Sequence, residues 1–218
     1  MVYSVADMRF FWYNEGMSKR IHGLVLAAGL STRMGSPKQL LPFGNRTVLQ
    51  TVVDTLLCSE LDGVLVVLGH RVEDIRKSLQ GRSVETCVND KYEEGMFTSV
   101  LCGMEALEGR SEGVLIALGD QPQILESEVR RVVEAYRAGN RGIVIPTSMG
   151  KRGHPALIDI TRYLAEMRSL SGTEGLKPIM RGHPEDTLEV PIPQDRILRD
   201  MDTPEDYQSE LDRLGYSE

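Results

Sequence analysis

No apolar run in this 218-residue chain reaches the roughly 18 residues that a membrane-spanning helix needs, so no membrane partner is expected. Positive charge is also in short supply. With 25 Lys and Arg against 32 Asp and Glu, the formal net charge of −7 argues against a nucleic-acid backbone as the main partner. A small anionic substrate stays open, because a local basic loop outweighs a distant acidic surface. Cysteine is limited to Cys58, Cys87 and Cys102, an odd number without C-x-x-C spacing. That fits reduced thiols packed inside a cytoplasmic protein. Neither a repeat nor a compositional break marks a linker. The opening residues 1–20 lack the basic start and apolar core of a signal peptide. They read as a disordered or loosely packed extension, or else as an aromatic patch docking on a neighbouring subunit, with 21–218 forming one domain.

What is present is ordinary globular composition, 41% hydrophobic and 26% charged, built around one stretch, LVLAAGLSTRMGSPKQ, from Leu24 to Gln39. The apolar run Ile21 to Ala28 stops at Gly29; Gly35 follows six positions later, with Arg33 between them and Lys38 just beyond. This is a strand feeding a glycine-bounded loop that carries two cations. Glycines let backbone N–H groups approach a ligand closely and the cations supply charge, so the natural partner is a polyphosphate. The loop matches neither Gly-x-Gly-x-x-Gly nor Gly-x-x-x-x-Gly-Lys-Ser/Thr, which points to a third kind of nucleotide loop.

Along the chain, helical and strand periodicities alternate. Helices are predicted over Thr47 to Ser59, from Val72 to Gly81, from about Thr98 to Gly109, and from about Glu126 to Gly139. Strands are predicted from Gly63 to Gly69, Ser83 to Val88, Gly113 to Leu118 and Gly142 to Pro146. The near-continuous apolar strands predict an α/β fold, a Rossmann-like, mostly parallel sheet covered by helices on both faces. Beyond Lys151 the rhythm loosens: GHPALI reads as a strand and Thr161 to Ser169 as a helix. Thr187 to Ile192 and Arg196 to Asp200 read as short strands of a β excursion closing over the site. Thr203 is placed as N-cap and Pro204 as first residue of a last helix.

Ligands of open α/β sheets bind beyond the carboxyl ends of the strands, where both the Gly29 to Lys38 loop and Asp120 fall. Cations for phosphates beside a carboxylate for a metal make a Mg²⁺-triphosphate site. Asp202 supplies a second carboxylate and Asp200 a possible third; simple turn or helix capping is the alternative for Asp120 and Asp202. Gly29 and Gly35 would cradle the phosphates, Arg33 the β and γ groups, and Lys38 those at the reacting centre, while Leu26, Ala27 and Ala28 face the base. No Ser-His-Asp or Cys-His nucleophile is evident. An acceptor that is a phosphate monoester, with a second pKa near 6, needs none, because it is already largely ionised at neutral pH.

LAAG-x-S-x-R-M-G-x-x-K resembles the signature of the MobA-like nucleoside-triphosphate transferases, and LAAGLSTRMGSPKQLLPFG in particular their molybdenum cofactor cytidylyltransferase branch. The resemblance spans about residues 21 to 208. It implies a nucleotide-diphospho-sugar transferase type of fold and transfer of CMP from CTP to the terminal phosphate of a molybdopterin-type cofactor, with Mg²⁺ on Asp120 and Asp202. It makes Arg33, Lys38 and Asp120 the catalytic set and a recipient molybdoenzyme a further partner. The Ala27-Ala28-Gly29 sequence is similar to pyrimidine-using members. Gly95-Met96-x-x-Ser99 resembles the helix-start motif near the nucleotide, bringing in Ser99, and Asn89 aligns with a ribose or base contact. Gly153-His154-Pro155 resembles a motif on the acceptor side. The chain departs from the family at Gly172 to Lys177, where Gly-Asp-x-Gly-Ala-Arg is common, so that Lys177 stands where an Arg would grip the acceptor. The rivals are a guanylyltransferase or sugar-phosphate nucleotidyltransferase of the same fold, a glycosyltransferase using Asp200-Met201-Asp202, and a non-catalytic cofactor carrier.

Overall fold

The computed structural model describes residues 19–31, 34–172 and 174–215. Its strands, in chain order, are β1 (Ile21–Leu26), β2 (Pro42–Phe43), β3 (Arg46–Thr47), β4 (Gly63–Leu68), β5 (Glu85–Val88), β6 (Gly113–Leu118), β7 (Ile143–Ser148), β8 (Lys151–Arg152), β9 (Ala156–Asp159) and β10 (Thr187–Pro191). The helices are α1 (Val48–Leu57), α2 (Val72–Ser78), α3 (Met96–Ala106), α4 (Glu126–Ala138), α5 (Ile160–Met167), α6 (Lys177–Gly182) and α7 (Pro204–Arg213). Eight strands form one mostly parallel sheet in the order β10-β7-β9-β6-β1-β4-β5, with β8 on β7; β9 runs antiparallel between β6 and β7. A separate hairpin joins β2 to β3. Among the described residues no helix is long and apolar enough to cross a membrane.

Both faces of the sheet are buried because successive strand side chains point to opposite sides. Ile21 and Val25 of β1 with Val64, Val66 and Leu68 of β4 join the core beneath α1, α2 and α4. Leu24, Leu65 and Val67 join the core beneath α3, α5 and α6. Val129, Val132, Val133 and Tyr136 form one stripe of α4 that is buried throughout. Lys19, assigned by sequence to the 1–20 extension, is instead anchored: its ammonium donates to the carbonyls of Tyr136 and Gly139 and lies 4.3 Å from the Tyr136 ring centroid. Residues 1–18 of that extension lie outside the described residues.

Two expectations are corrected. Arg196 to Asp200 is not a strand; Asp195–Leu198 forms a 3₁₀ turn, and the carbonyls of Arg196 and Arg199 go to the Gln123 side chain rather than to a neighbouring strand. Thr187 to Ile192 does not close over a site, since β10 pairs in parallel with β7 at the sheet edge. After Ser169 the chain forms one further short helix, α6, with Pro178 in its first turn, where a missing N–H costs nothing.

His22 is buried in β1, its Nδ1 3.1 Å from Ser111 Oγ. Burial first, and then the nearby Arg110, holds its pKa below the ordinary histidine value. The unfolded chain therefore takes up a proton before the folded one does, so the stability that neutral His22 contributes is whole above about pH 6.5 and declines as pH falls toward the lowered folded value. Unfolding measured from pH 7.5 to 5.5 should show a loss of up to about 1.4 kcal/mol per pH unit from this group. His22→Asn, which keeps a polar atom toward Ser111, should flatten that slope; an unchanged slope would locate the proton elsewhere.

Candidate active site

The carboxyl ends of three parallel strands coincide, because Leu26 of β1 is in register with Val67 of β4 and with Leu118 of β6. The segments leaving β1 and β6 therefore emerge side by side. Gly119 makes the approach possible: its N–H donates to the Leu26 carbonyl at 3.0 Å, and a Cβ there would stand 2.7 Å from that same oxygen. Asp120 is thus set directly beside the loop after β1.

In that loop Ser31 and Gly35 both adopt left-handed backbone, with φ of 52° and 66°. Ser31 Oγ accepts from the Lys38 backbone N–H and donates to Gln39 Oε1, bending the chain back on itself. Lys38 is thereby returned to the strand ends, where its ammonium forms ion pairs with Asp120 and, at 2.9 Å, with Asp202. Burial alone would disfavour that ammonium, but Asp120 and then Asp202 outweigh it and hold the Lys38 pKa above the ordinary lysine value.

Asp202 arrives from 164 residues downstream, and two devices bring it there. The buried side chain of Gln121 donates to the Arg199 carbonyl and to Asp200 Oδ1, and Gln123 donates to the carbonyls of Arg196 and Arg199, so the turn after β6 clasps the segment before α7. Then Thr203 caps α7 while Asp206 Oδ2 accepts from the backbone N–H groups of Asp202 and Thr203. The capping role open to Asp202 is thus filled by Thr203 and Asp206, and the Asp202 carboxylate points to Lys38. Gln123→Leu should remove one donor from each of two carbonyls, leaving Arg196 with the Arg199 N–H and Arg199 with Gln121, and so lower stability by only about 0.5–1.5 kcal/mol, readable as a reduced denaturation midpoint.

A cleft of about 320 Å³ opens over these groups, lined by Leu26, Ala28, Gly29, Lys38, Ser99, Asp120 and Asp202, with Gln39, Tyr92, Met96 and Asp200. Three expected contacts are revised. Gly35 lies outside this cleft, lining a separate recess with Ser31, Pro37, His70 and Arg71. Ala27 is fully buried in the core under α1 and α4, because strand alternation continues past β1 and turns it away from Leu26 and Ala28. Asn89 does not line the cleft: its amide N–H₂ donates to Thr98 and Ser99, and its oxygen accepts from the Lys91 N–H. It holds Ser99, which does line the cleft, at the start of α3. Arg33 lies outside the described residues.

A second chamber, about 490 Å³, adjoins the cleft at Met96. Phe97, Val100, Ile145, Ala156, Leu176 and Met180 give it apolar walls, and His154, Lys177, Arg152, Arg181 and Glu174 are its main polar groups, the last two paired with each other. Gly153 and His154 are pinned there by N–H bonds to the carbonyls of Pro146 and Ile197. Burial lowers the His154 pKa, against the pull of Asp200 and Asp120, so the ring is neutral at physiological pH. Expected acceptor residues His154 and Lys177 are therefore brought together in one chamber, next to the cleft that holds Lys38, Asp120 and Asp202.

Residues 23–188 match the MobA-like NTP transferase domain. The chain belongs to that family. This MobA-like protein is a nucleotidyltransferase, and its relatives carry several names. It is 28% identical over 193 residues to the molybdenum cofactor cytidylyltransferase of Escherichia coli (strain K12), covering 87% of this chain and 95% of that protein. It is 30% identical over 170 residues to nicotine blue oxidoreductase of Paenarthrobacter nicotinovorans, covering 75% and 83%. Among solved structures, Rv0371c of Mycobacterium tuberculosis H37Rv in complex with manganese superposes on the MobA-like protein with a TM-score of 0.75 at 27% identity, covering 88% of this chain and 98% of that one.

Sequence reasoning passed over Gln39, Tyr92, Gln121, Gln123 and Asp206. For Gln121 and Gln123 a signal existed, two amides flanking Pro122 at a strand end, and Asp206 stands three residues after Thr203, the spacing of a capping box; for Gln39 and Tyr92 the sequence carries no local pattern.

Proposed function

We propose that this nucleotidyltransferase, acting in the cytoplasm, transfers CMP from CTP to the terminal phosphate of a molybdopterin-type cofactor and releases pyrophosphate. The reading is carried by the convergence of Lys38, Asp120 and Asp202 beside Gly29 at the ends of β1 and β6. Two carboxylates form the ordinary protein share of a Mg²⁺ site, whose remaining ligands are phosphate oxygens and water. Bound there, Mg²⁺ would neutralise charge on the α-phosphate.

The chain's own residues then have distinct tasks. Leu26, Ala28 and Ser99 border the base and ribose and Gly29 the phosphates, and Lys38 balances the charge of the phosphate oxygens, with Arg33 and the loop turn at Gly35 proposed to serve the β and γ groups. The acceptor enters through the second chamber, where His154 and Lys177 orient it with an ionised phosphate oxygen facing the α-phosphorus. No general base is needed for that attack. Apolar walls favour a flat heterocycle over a sugar phosphate, whose hydroxyls would lose water there for few partners. The preference for CTP over GTP rests on the Ala27-Ala28-Gly29 resemblance, and a molybdoenzyme that receives the product is the proposed partner.

Pyrophosphate release with molybdenum cofactor as acceptor, measured separately with CTP, GTP, ATP and UTP, tests this. Release with CTP is expected to exceed that with each other nucleotide by at least about tenfold, roughly the discrimination of one well-placed contact. Release with GTP would make it a guanylyltransferase. No release with any nucleotide would overturn the acceptor and direct attention to Gly172 to Lys177.

A further inference from the structure

We propose that Lys38 is a built-in counter-ion for the metal carboxylates, so that a divalent cation and a nucleoside triphosphate each admit the other. This rests on the reading of the cleft as a triphosphate site. Three observations support it.

First, one ammonium serves both carboxylates: Lys38 Nζ pairs with Asp120 and with Asp202, and its side chain is only 13% exposed. Both acids are thus already neutralised in part, and a dication seated on them would stand within a few ångström of the ammonium. Such like charges repel strongly where water is scarce. Second, the protein's donor set is small. Among the described residues no group of three or more His, Cys, Asp or Glu side chains could hold a metal, and Asp200, the nearby third acid, is held by Gln121. A hard cation that wants about six oxygens therefore finds two protein groups, and the triphosphate must complete its shell. Third, Lys38 has somewhere to go. It opens a short 3₁₀ turn, lines the same cleft as Gly29, and carries its charge on a flexible four-carbon stem.

When a triphosphate enters, the ammonium can exchange carboxylate oxygens for phosphate oxygens, which bares Asp120 and Asp202 for the cation. Metal alone must displace the ammonium into no new partnership, and triphosphate alone must draw it off two acids. Each ligand bears a cost that the other removes, and linkage makes the coupling equal in both directions.

The test is binding, not turnover. Mn²⁺ affinity is measured by electron paramagnetic resonance with and without CTP, and CTP affinity by calorimetry with and without Mn²⁺. For the wild type, each is expected to tighten the other by at least about tenfold, the usual range of such couplings. Lys38→Met should bind Mn²⁺ about tenfold tighter than wild type in the absence of CTP, and should keep only the part of the coupling that comes from triphosphate oxygens completing the cation's shell. Lys38→Arg, which restores a cation, should return Mn²⁺ binding toward the weak wild-type value, a rescue that mere loss of packing would not show. Asp120→Asn should remove the Mn²⁺ signal from each form. Unchanged or weaker Mn²⁺ binding by Lys38→Met without CTP, with cooperative unfolding retained, would overturn the proposal. If Lys38→Met unfolds, Lys38→Gln is read by the same criterion. Failure of the wild type to bind CTP even with Mn²⁺ would instead overturn the reading of the cleft.

Discussion

Asp120→Asn is expected to lower nucleotidyl transfer by about 10³-fold, equivalent to about 4 kcal/mol of barrier, while the protein stays folded. The substitution keeps size and shape but removes the negative charge that faces Lys38 at the end of β6. In the proposed site that charge performs two tasks, holding the cation and balancing the ammonium, so the loss should fall on the rate constant kcat more than on KM for the acceptor, whose proposed place is the other chamber. The fold should tolerate the change. Asp120 is partly exposed, Gly119 rather than Asp120 makes the contact with Leu26, and Lys38 retains Asp202. A midpoint of thermal unfolding within a few degrees of wild type, with transfer at the detection limit, is the expected pair of results. Asp200→Asn supplies the comparison. That acid lines the cleft but accepts from Gln121, so its loss should cost far less, about tenfold at most. If Asp200→Asn proves the more damaging, the metal assignment moves from Asp120 to Asp200.

How much of this was legible beforehand follows physical lines. The strand-loop-cation pattern from Ile21 to Lys38 and the strand-end position of Asp120 are local features, encoded by hydrophobic periodicity and two glycines, and the folded chain places both at one sheet edge. Thr203 and Pro204 were readable as a helix start for the same reason, since capping is a matter of neighbouring residues. What escaped is non-local. The Gln121 and Gln123 clasp onto carbonyls about 75 residues away leaves no periodicity to read. The shift of Arg196 to Asp200 from expected strand to 3₁₀ turn is a consequence of that clasp, a tertiary contact overriding a weak β preference. Ala27 and Asn89 mark a different limit. A motif names positions near a ligand but not the direction of a side chain, and here pleating buries one and a loop hydrogen-bond network occupies the other.

The second large effect concerns stability. Arg199→Ala is expected to destabilise the protein by about 3–5 kcal/mol, because it strands a buried carboxylate. Glu210 of α7 is 4% exposed; Arg199 Nε lies 2.8 Å from one of its oxygens and Nη2 donates to the other at 3.1 Å. With Arg199 gone, the remaining cation near Glu210 is Arg213, at 4.0 Å on an exposed side chain. For a domain of this size such a loss corresponds to a fall of roughly 10 °C in the unfolding midpoint. Replacing both partners, as in Arg199→Met with Glu210→Met, should cost markedly less than the single change, since no charge is then left buried. The functional consequence follows from position. The Arg199 carbonyl is the one that Gln121 and Gln123 share, and Asp200, Met201 and Asp202 come next, so loosening this ion pair loosens the path by which the second carboxylate reaches Lys38. Hydrogen exchange should therefore speed first in α7 and around Asp202, with β1 and β6 still protected. Uniform loss of protection across the sheet would instead mean that Arg199 supports the whole fold and not the docking of its last helix.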